Sequence, residues 1–463
     1  MSRRAMIAAA LGALLAAGPA PGREAPPPVG QPHPFALPAK HEFTLPNGLA
    51  VTLVPFGTVP KTTILVALRT GNVADGDKSG LADLTASLMK EGAGARDAEG
   101  VARAAAEMGG ALEVGAGPDQ FSVSLDVLAE RADDAIGLIA DVLRRPRLPP
   151  AELPRLKADM TRQMAIARSQ PQAIAGEALA HLIWGDSVYG RTLPTDAQIA
   201  SIGIDDVRRF VATEFGAART HVYVAGRFDP PAVERALRAA FGDWAAGPAP
   251  RQGAPEGARR RIVRLIDRPG ATQSTILMGL PVPTPATPGF MRLSLANALL
   301  GGSLLSRLDQ NLREDKGYTY GASSHITPHQ GVAAWALATD VNAPQTAAAL
   351  GEIFRELARL RSEPAPAAEL QLIKNYRAGT FVLGASSRPG LLAQLAFLDQ
   401  QGLDDDWLTH YVEHVNAVTP EELRAAAAEA LDPAAMTIVV VGPLAQIKAG
   451  IEALEALHGA EFR

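Results

Sequence analysis

No cysteine occurs in the 463 residues. That excludes disulfides, thiolate metal sites, cysteine nucleophiles and lipid attachment at an N-terminal cysteine. Any zinc held by this chain would need His and carboxylate ligands. Aromatic residues are scarce at 5%, and the net charge of −5 carries no basic excess of the kind that marks a nucleic-acid binder. The one compact basic run, Arg259-Arg260-Arg261, lies beside Pro and Gly and reads as solvated linker. Beyond the N-terminal leader, no segment reaches the ~18 consecutive apolar residues of a membrane helix. There is no Ser-centred elbow and no phosphate-binding glycine loop, since Gly301-Gly302 lacks the following Lys of a P-loop.

What is present is globular. Hydrophobic residues make up 47% of the chain, which at this length implies two to four domains and helices packed through small side chains. The N-terminus carries Arg3 and Arg4, an apolar run from Ala5 to Ala17, then Gly18-Pro19-Ala20. That order reads as a secretory signal peptide over residues 1–25, cleaved after Ala20 or Ala25, with export to a periplasm expected. A mitochondrial presequence would need arginines interspersed through the run, and there are none. Residues 26–40 are Pro-rich and are expected to form a disordered lead-in.

From His41 onward strands and helices intermix. Phe43 to Val54, broken by Asn47-Gly48, reads as a hairpin, and Thr62 to Arg69 as a further strand. Helical patterns follow at Ser79 to Lys90, Ala98 to Met108 and Ala129 to Leu143; Ala111 to Leu125 reads as paired strands and Ala151 to Leu182 as one long helical tract. The fold class is α+β, with antiparallel sheet packed by helices. Residues 245–261, rich in Pro, Gly and Arg, mark a linker between domains at 41–244 and 262–463. After it the pattern restarts. Thr63-Ile64-Leu65 returns as Thr275-Ile276-Leu277, Glu152-Leu153 with Lys157 as Glu369-Leu370 with Lys374, and Gly226 after its strand as Gly442 after Thr437 to Val441. The offsets are 212, 217 and 216, so the chain reads as two copies of one domain.

The most informative stretch is Ala298 to Ser324, ALLGGSLLSRLDQNLREDKGYTYGASS. Leu305, Leu308 and Leu312 recur at helical spacing, which predicts a helix entered through Gly301-Gly302 and stopped at Gly317, with Lys316 in its last turn. A strand is expected next, with Tyr318 and Tyr320 on one face. Arg313 then ends a helix and Tyr320 begins a strand, so both polar tips can converge on one cleft and donate hydrogen bonds to a peptide carbonyl or its oxyanion. The plainer reading makes Arg313 a solvated helix residue and the tyrosines sheet packing.

The string GG, SRL, LRE, KG and a tyrosine resembles the C-terminal signature of the insulinase/pitrilysin metallopeptidase family, in its mitochondrial-processing-peptidase-like branch. Leu45 to Leu49, LPNGL, is similar to the family's first hairpin. The resemblance covers the chain from about His41 to the end and implies paired domains, with the family's substrate-binding arginine and tyrosine falling on Arg313 and Tyr320. It also implies an H-x-x-E-H zinc motif after Gly80-Leu81-Ala82, completed by a Glu about 75 residues on. Here Asp83 and Ser87 replace the His residues, Ala86 replaces the general base, and Arg162 and Gln163 stand where the distant Glu is expected. His410-Tyr411-Val412-Glu413-His414 matches the motif's letters, but too few residues follow it to supply that Glu. His325 and His329 are separated by Pro328, which argues against a helical metal pair.

The resemblance therefore implies a chain that binds no zinc. It would be one subunit of an exported heterodimeric peptidase, whose homologous partner holds the zinc while Arg313 and Tyr320 act on the peptide and Gly301 and Gly302 border it. The alternatives are a catalytically dead scaffold or peptide binder, similar to the core proteins of the respiratory bc complex, and an autonomous zinc peptidase using His410 and His414. Neither nucleic acid nor, after signal cleavage, membrane is an expected partner.

Overall fold

Ile64, Val66 and Leu68 alternate with Leu65 and Ala67, so the strand that carries them must be covered on both faces. The computed structural model, which describes residues 35–250 and 253–463, shows what covers it. The expected signal peptide and most of the expected lead-in lie outside the described residues.

The first half contributes β1 (His41–Thr44), β2 (Ala50–Pro55), β3 (Lys61–Leu68), a small ribbon of β4 (Gly92–Ala93) and β5 (Arg96–Asp97), then β6 (Glu113–Ala116), β7 (Phe121–Leu128) and β8 (Thr220–Gly226). The second half contributes β9 (Ile262–Asp267), β10 (Gln273–Val282), β11 (Thr319–Pro328), β12 (Ala333–Asn342), β13 (Thr437–Gly442) and β14 (Glu461–Phe462). One sheet runs β1-β2-β8-β3-β7-β6 and the other β11-β12-β10-β13-β9-β14. The order β2-β8-β3-β7-β6 thus recurs as β9-β13-β10-β12-β11, the structural form of the repeat. Both sheets are mixed rather than purely antiparallel, because β2 runs parallel to β8, β9 to β13, and β14 to β9. The rest of each sheet is antiparallel, and helices pack against both: an α+β fold of two sheet-containing domains.

The sequence landmarks of the repeat have matching jobs. Lys157 donates to the carbonyls of Ala200 and Ile202, and Lys374 to that of Asn416, each tying a long helix to the end of another. Thr63 donates to Asp126 at 2.6 Å, and Thr275 donates to Asp340 in the same way on the other sheet. Arg388 reaches Asp126 across the halves, while Gln172 reaches Asp340 in the opposite direction.

Arg388 and Gln172 lie in the first turns of the helices that interlock the molecule. Helix Pro171–Trp184 leaves the first half and lays Leu179, Ile183 and Trp184 against Val439 and Val441 of the second sheet. Helix Arg388–Gln401 returns the arrangement, setting Leu391, Leu392 and Leu395 in one cluster with Ala67, Tyr223 and Ala225 of the first sheet. The opposite face of the first sheet, with Ile64, Val66 and Leu68, packs on helices Leu81–Met89 and Ala132–Arg144.

Three expectations change. The tract 151–182 is two helices, Leu153–Ser169 and Pro171–Trp184, because the residue before proline is driven from helical geometry and Gln170 is extended. The lead-in is anchored before His41, since Phe35 rests edge-on against Phe381 and Leu37 packs on the second core. The stretch 245–261 has neither helix nor strand among its described residues, yet it is pinned: the carbonyls of Pro248 and Ala249 accept from Arg219, and Arg259 donates to Pro281.

Leu179→Ala removes a first-half side chain from a second-half pocket and should cost about 2–5 kcal/mol. In denaturant the variant and the parent should each unfold in one transition; separate unfolding of the two halves would contradict the interlock.

Candidate functional site

The stretch from Gly301 to Ser324 folds differently from a simple helix. Gly301 and Gly302 close helix Phe290–Leu300 rather than open the next one, and the following helical segment starts at Arg307 after Ser306, whose hydroxyl caps Asp309. Leu308 and Leu312 are buried as the periodicity predicts, but Leu305 lies in the loop before the cap and is exposed. The glycines answer to close packing. A Cβ at Gly301 would come within 2.8 Å of the Ser324 backbone nitrogen, and one at Gly302 within 2.8 Å of Ala298. From Gln310 to Asp315 the chain widens into a π turn, in which the Lys316 amide bonds the Asn311 carbonyl five residues back. Gly317 ends it with φ of 63°.

β11 is an edge strand, and it carries a bulge where its register against β12 shifts between Thr319 and Ala322. Thr339 donates to the Gly321 carbonyl, and Thr319 both donates to that carbonyl and accepts from the Gly321 amide. The extra residue re-aims the strand, so the two tyrosines part. Tyr318 packs on the core, whereas Tyr320 stands outward, 90% exposed. The expectation of both on one face fails because the bulge breaks the alternation.

Tyr320 still shares a cleft with Arg313. Both line an open cleft of about 500 Å³ together with Gly301, Gly302, Asp309 and Tyr376. Arg313 is half-exposed and held from below by Asp309, its Nη1 donating to Oδ2 at 3.3 Å. Arg307, by contrast, is a structural group, joined to Glu369 by two hydrogen bonds of 2.8 Å and nearly sealed from solvent.

Asp83, Ala86 and Ser87, where the resemblance places the zinc motif, border another cleft, of about 520 Å³, which shares no lining residue with the first. Helix Leu81–Met89 presents Asp83, Ala86 and Ser87 to it, and Gln163 faces it from the next long helix. One carboxylate, one methyl and one hydroxyl do not make a zinc site, and no group of three His, Cys, Asp or Glu among the described residues is arranged for a metal. The residues present do not fit the metal. Asn72 bridges Asp83 at 2.8 Å and Asp75 at 3.3 Å, while Asp75 also accepts the amides of Gly80 and Ala82 at the helix start. Burial pushes the Asp75 carboxyl up to about 6 and raises Asp83 as well. At the same cleft Tyr189 donates to Asp119 at 2.6 Å, and His329 from the second half stacks on Tyr189 and contacts Asp119 at 3.2 Å.

His410 and His414 fall at a helix junction. His410 sits between the short helices Asp405–Thr409 and Tyr411–Ala417 and faces Asp406 at 3.8 Å, and Glu413 and His414 are exposed. His325 lies within β11 and His329 just past its end, so they never share a helix.

A carboxyl pKa raised on folding means that the native state holds the proton more tightly than the unfolded chain. Asp75 therefore weakens the fold as pH rises from its ordinary 3.8 to about 6. NMR titration of the Asp75 carboxyl should give a midpoint near 6, and a midpoint near 4 would contradict its burial.

The chain matches "Insulinase (Peptidase family M16)" over residues 56–196 and "Peptidase M16 inactive domain" over residues 201–376. An uncharacterized zinc protease of Streptomyces coelicolor is 24% identical over 415 residues, covering 87% of this chain and 89% of that protein. One from Bacillus subtilis is 24% identical over 351 residues, covering 74% and 84%. Among solved structures, a peptidase M16 inactive domain from Pseudomonas fluorescens superposes with a TM-score of 0.82 at 22% identity, over 88% of this chain and 98% of that one. A protease from Helicobacter pylori gives 0.82 at 19% identity, over 88% and 100%. A chain of complex III2 from Candida albicans gives 0.73 at 12%, over 89% and 99%, which is a likeness of fold alone. With both domain descriptions matched in tandem and the duplicated fold behind them, this chain belongs to the insulinase family, peptidase family M16.

Proposed function

We propose that this chain is the non-zinc-binding subunit of an exported heterodimeric metallopeptidase, complementing a homologous subunit that holds the zinc. One observation carries the reading: Arg313 and Tyr320 share a cleft with Gly301 and Gly302, while the zinc positions of the same chain are filled by Asp83, Ala86 and Ser87. Arg313, steadied by Asp309, grips the backbone or carboxylate of an unfolded peptide. The Tyr320 hydroxyl, with no hydrogen-bond partner of its own among the described residues, donates to the oxyanion that forms at the partner's site. The free edge of β11 beside them suits an extended peptide added by main-chain pairing. Zinc belongs to the partner in this reading, and the location is periplasmic.

A second reading is a catalytically dead scaffold or peptide binder of the same fold. The loss of the zinc positions and the likeness to a complex III2 chain are compatible with it. A scaffold, however, has no use for a tyrosine held outward by a stitched bulge.

In the mixed complex, Tyr320→Phe should lower turnover roughly 10²-fold. Because the ring is 90% exposed, the melting temperature should stay unchanged. An unaltered rate would remove the oxyanion role. His414→Ala should leave turnover intact, and a dead complex would revive the motif at His410 to His414.

A further inference from the structure

The second half holds a cavity of about 520 Å³ that repeats, in the duplicated fold, the position of the degenerate zinc cleft. Helix Phe290–Leu300 stands where Leu81–Met89 stands in the first half, β11 where β6 stands, and helix Ala367–Ala385 where Leu153–Ser169 stands. The chemistry of the two is opposite. The first-half cleft is bordered by Asp75 and Asp83; among the described residues, the lining of the second-half cavity holds no carboxylate and one guanidinium, Arg377.

Its walls are aromatic. Phe381 stacks on Tyr411 at 4.1 Å, Trp407 sits 5.3 Å from Tyr411, and Phe397 sits 5.5 Å from Trp407. Among the described residues Arg377 has neutral side-chain partners only, donating to Ser294 Oγ at 3.1 Å and Tyr411 Oη at 3.0 Å, and its buried Nε has none. His325, also in the lining, has its pKa lowered by burial, so Arg377 is the cation of this cavity at neutral pH. Arg377 is half-buried among these rings with no counter-charge in the described lining, and a bound anion would supply one through charge-assisted hydrogen bonds. The size falls in the range of ligand pockets, roughly 300–1,000 Å³.

We infer that this cavity binds a carboxylate carried on an aromatic body, the C-terminal end of a peptide whose last residue is large and apolar, with the ring among Phe381, Trp407 and Tyr411 and the carboxylate on Arg377. A fatty acid offers the same carboxylate-plus-apolar chemistry. The peptide is favoured because the walls are flat rings and because Gly302 and Ser324 line both this cavity and the Arg313–Tyr320 cleft. That adjacency rests on the peptide reading of the cleft; binding in the cavity does not.

The test is a ligand-observed NMR titration of the full isolated chain, without any partner, using N-acetylphenylalanine, its amide and octanoate. N-acetylphenylalanine should bind saturably and about tenfold more tightly than the amide. Arg377→Met should erase that preference and Arg377→Lys should keep part of it. Ala393→Phe, which fills the cavity from an exposed position, should abolish binding while leaving the fold intact. Equal affinity for acid and amide, a preference that survives Arg377→Met, or binding that survives Ala393→Phe would overturn the assignment. Tighter binding of octanoate than of N-acetylphenylalanine would overturn the peptide as its source. None of these outcomes depends on Arg313 or Tyr320, so this inference and the subunit reading fail separately.

Discussion

Each half of this protein closes the other's sheet. β3 and β10 are apolar on both faces, and neither half alone covers both, so helix Pro171–Trp184 and helix Arg388–Gln401 cross over to seal the opposite sheet. Burying an apolar side chain this way is worth about 1.5–3 kcal/mol, and several on each helix do so. The duplication is therefore more than ancestry. It fixes where the edges of both sheets lie and which clefts open beside them.

The two candidate clefts open beside those edges. In the first half the cleft beside β6 is a polar pocket of Asp75, Asp83 and Asn72, with the Tyr189–Asp119–His329 contact across the halves. In the second half the edge strand β11 is bulged at Tyr320, and the preceding segment is widened into a π turn at Arg313. Two local irregularities, each held by specific hydrogen bonds, aim a guanidinium and a phenol into one opening. Regular helix and regular strand would have turned Tyr320 with Tyr318 toward the core.

The sequence made the repeat legible because its landmarks do structural work twice: Lys157 and Lys374 tie helices to carbonyls, and Thr63 and Thr275 hold matching aspartates. The placing of Asp83, Ala86 and Ser87 on one helix was legible for a simpler reason, since that pattern is local. Other features were closed to a linear reading. The bulge depends on Thr339, in the neighbouring strand, bonding the Gly321 carbonyl. The Tyr189–Asp119–His329 contact joins residues from three distant segments, and no spacing announces it. The break at Gln170 was visible in Pro171 and lost beneath an unbroken helical pattern.

In the proposed complex this chain completes another subunit's active site. The direct measurement is hydrolysis of a fluorogenic peptide by a family member bearing H-x-x-E-H, with and without this chain at equal concentration. Complementation predicts strong hydrolysis in the mixture and little from either chain alone. Equal hydrolysis by the zinc-bearing chain in the absence of this one would contradict it.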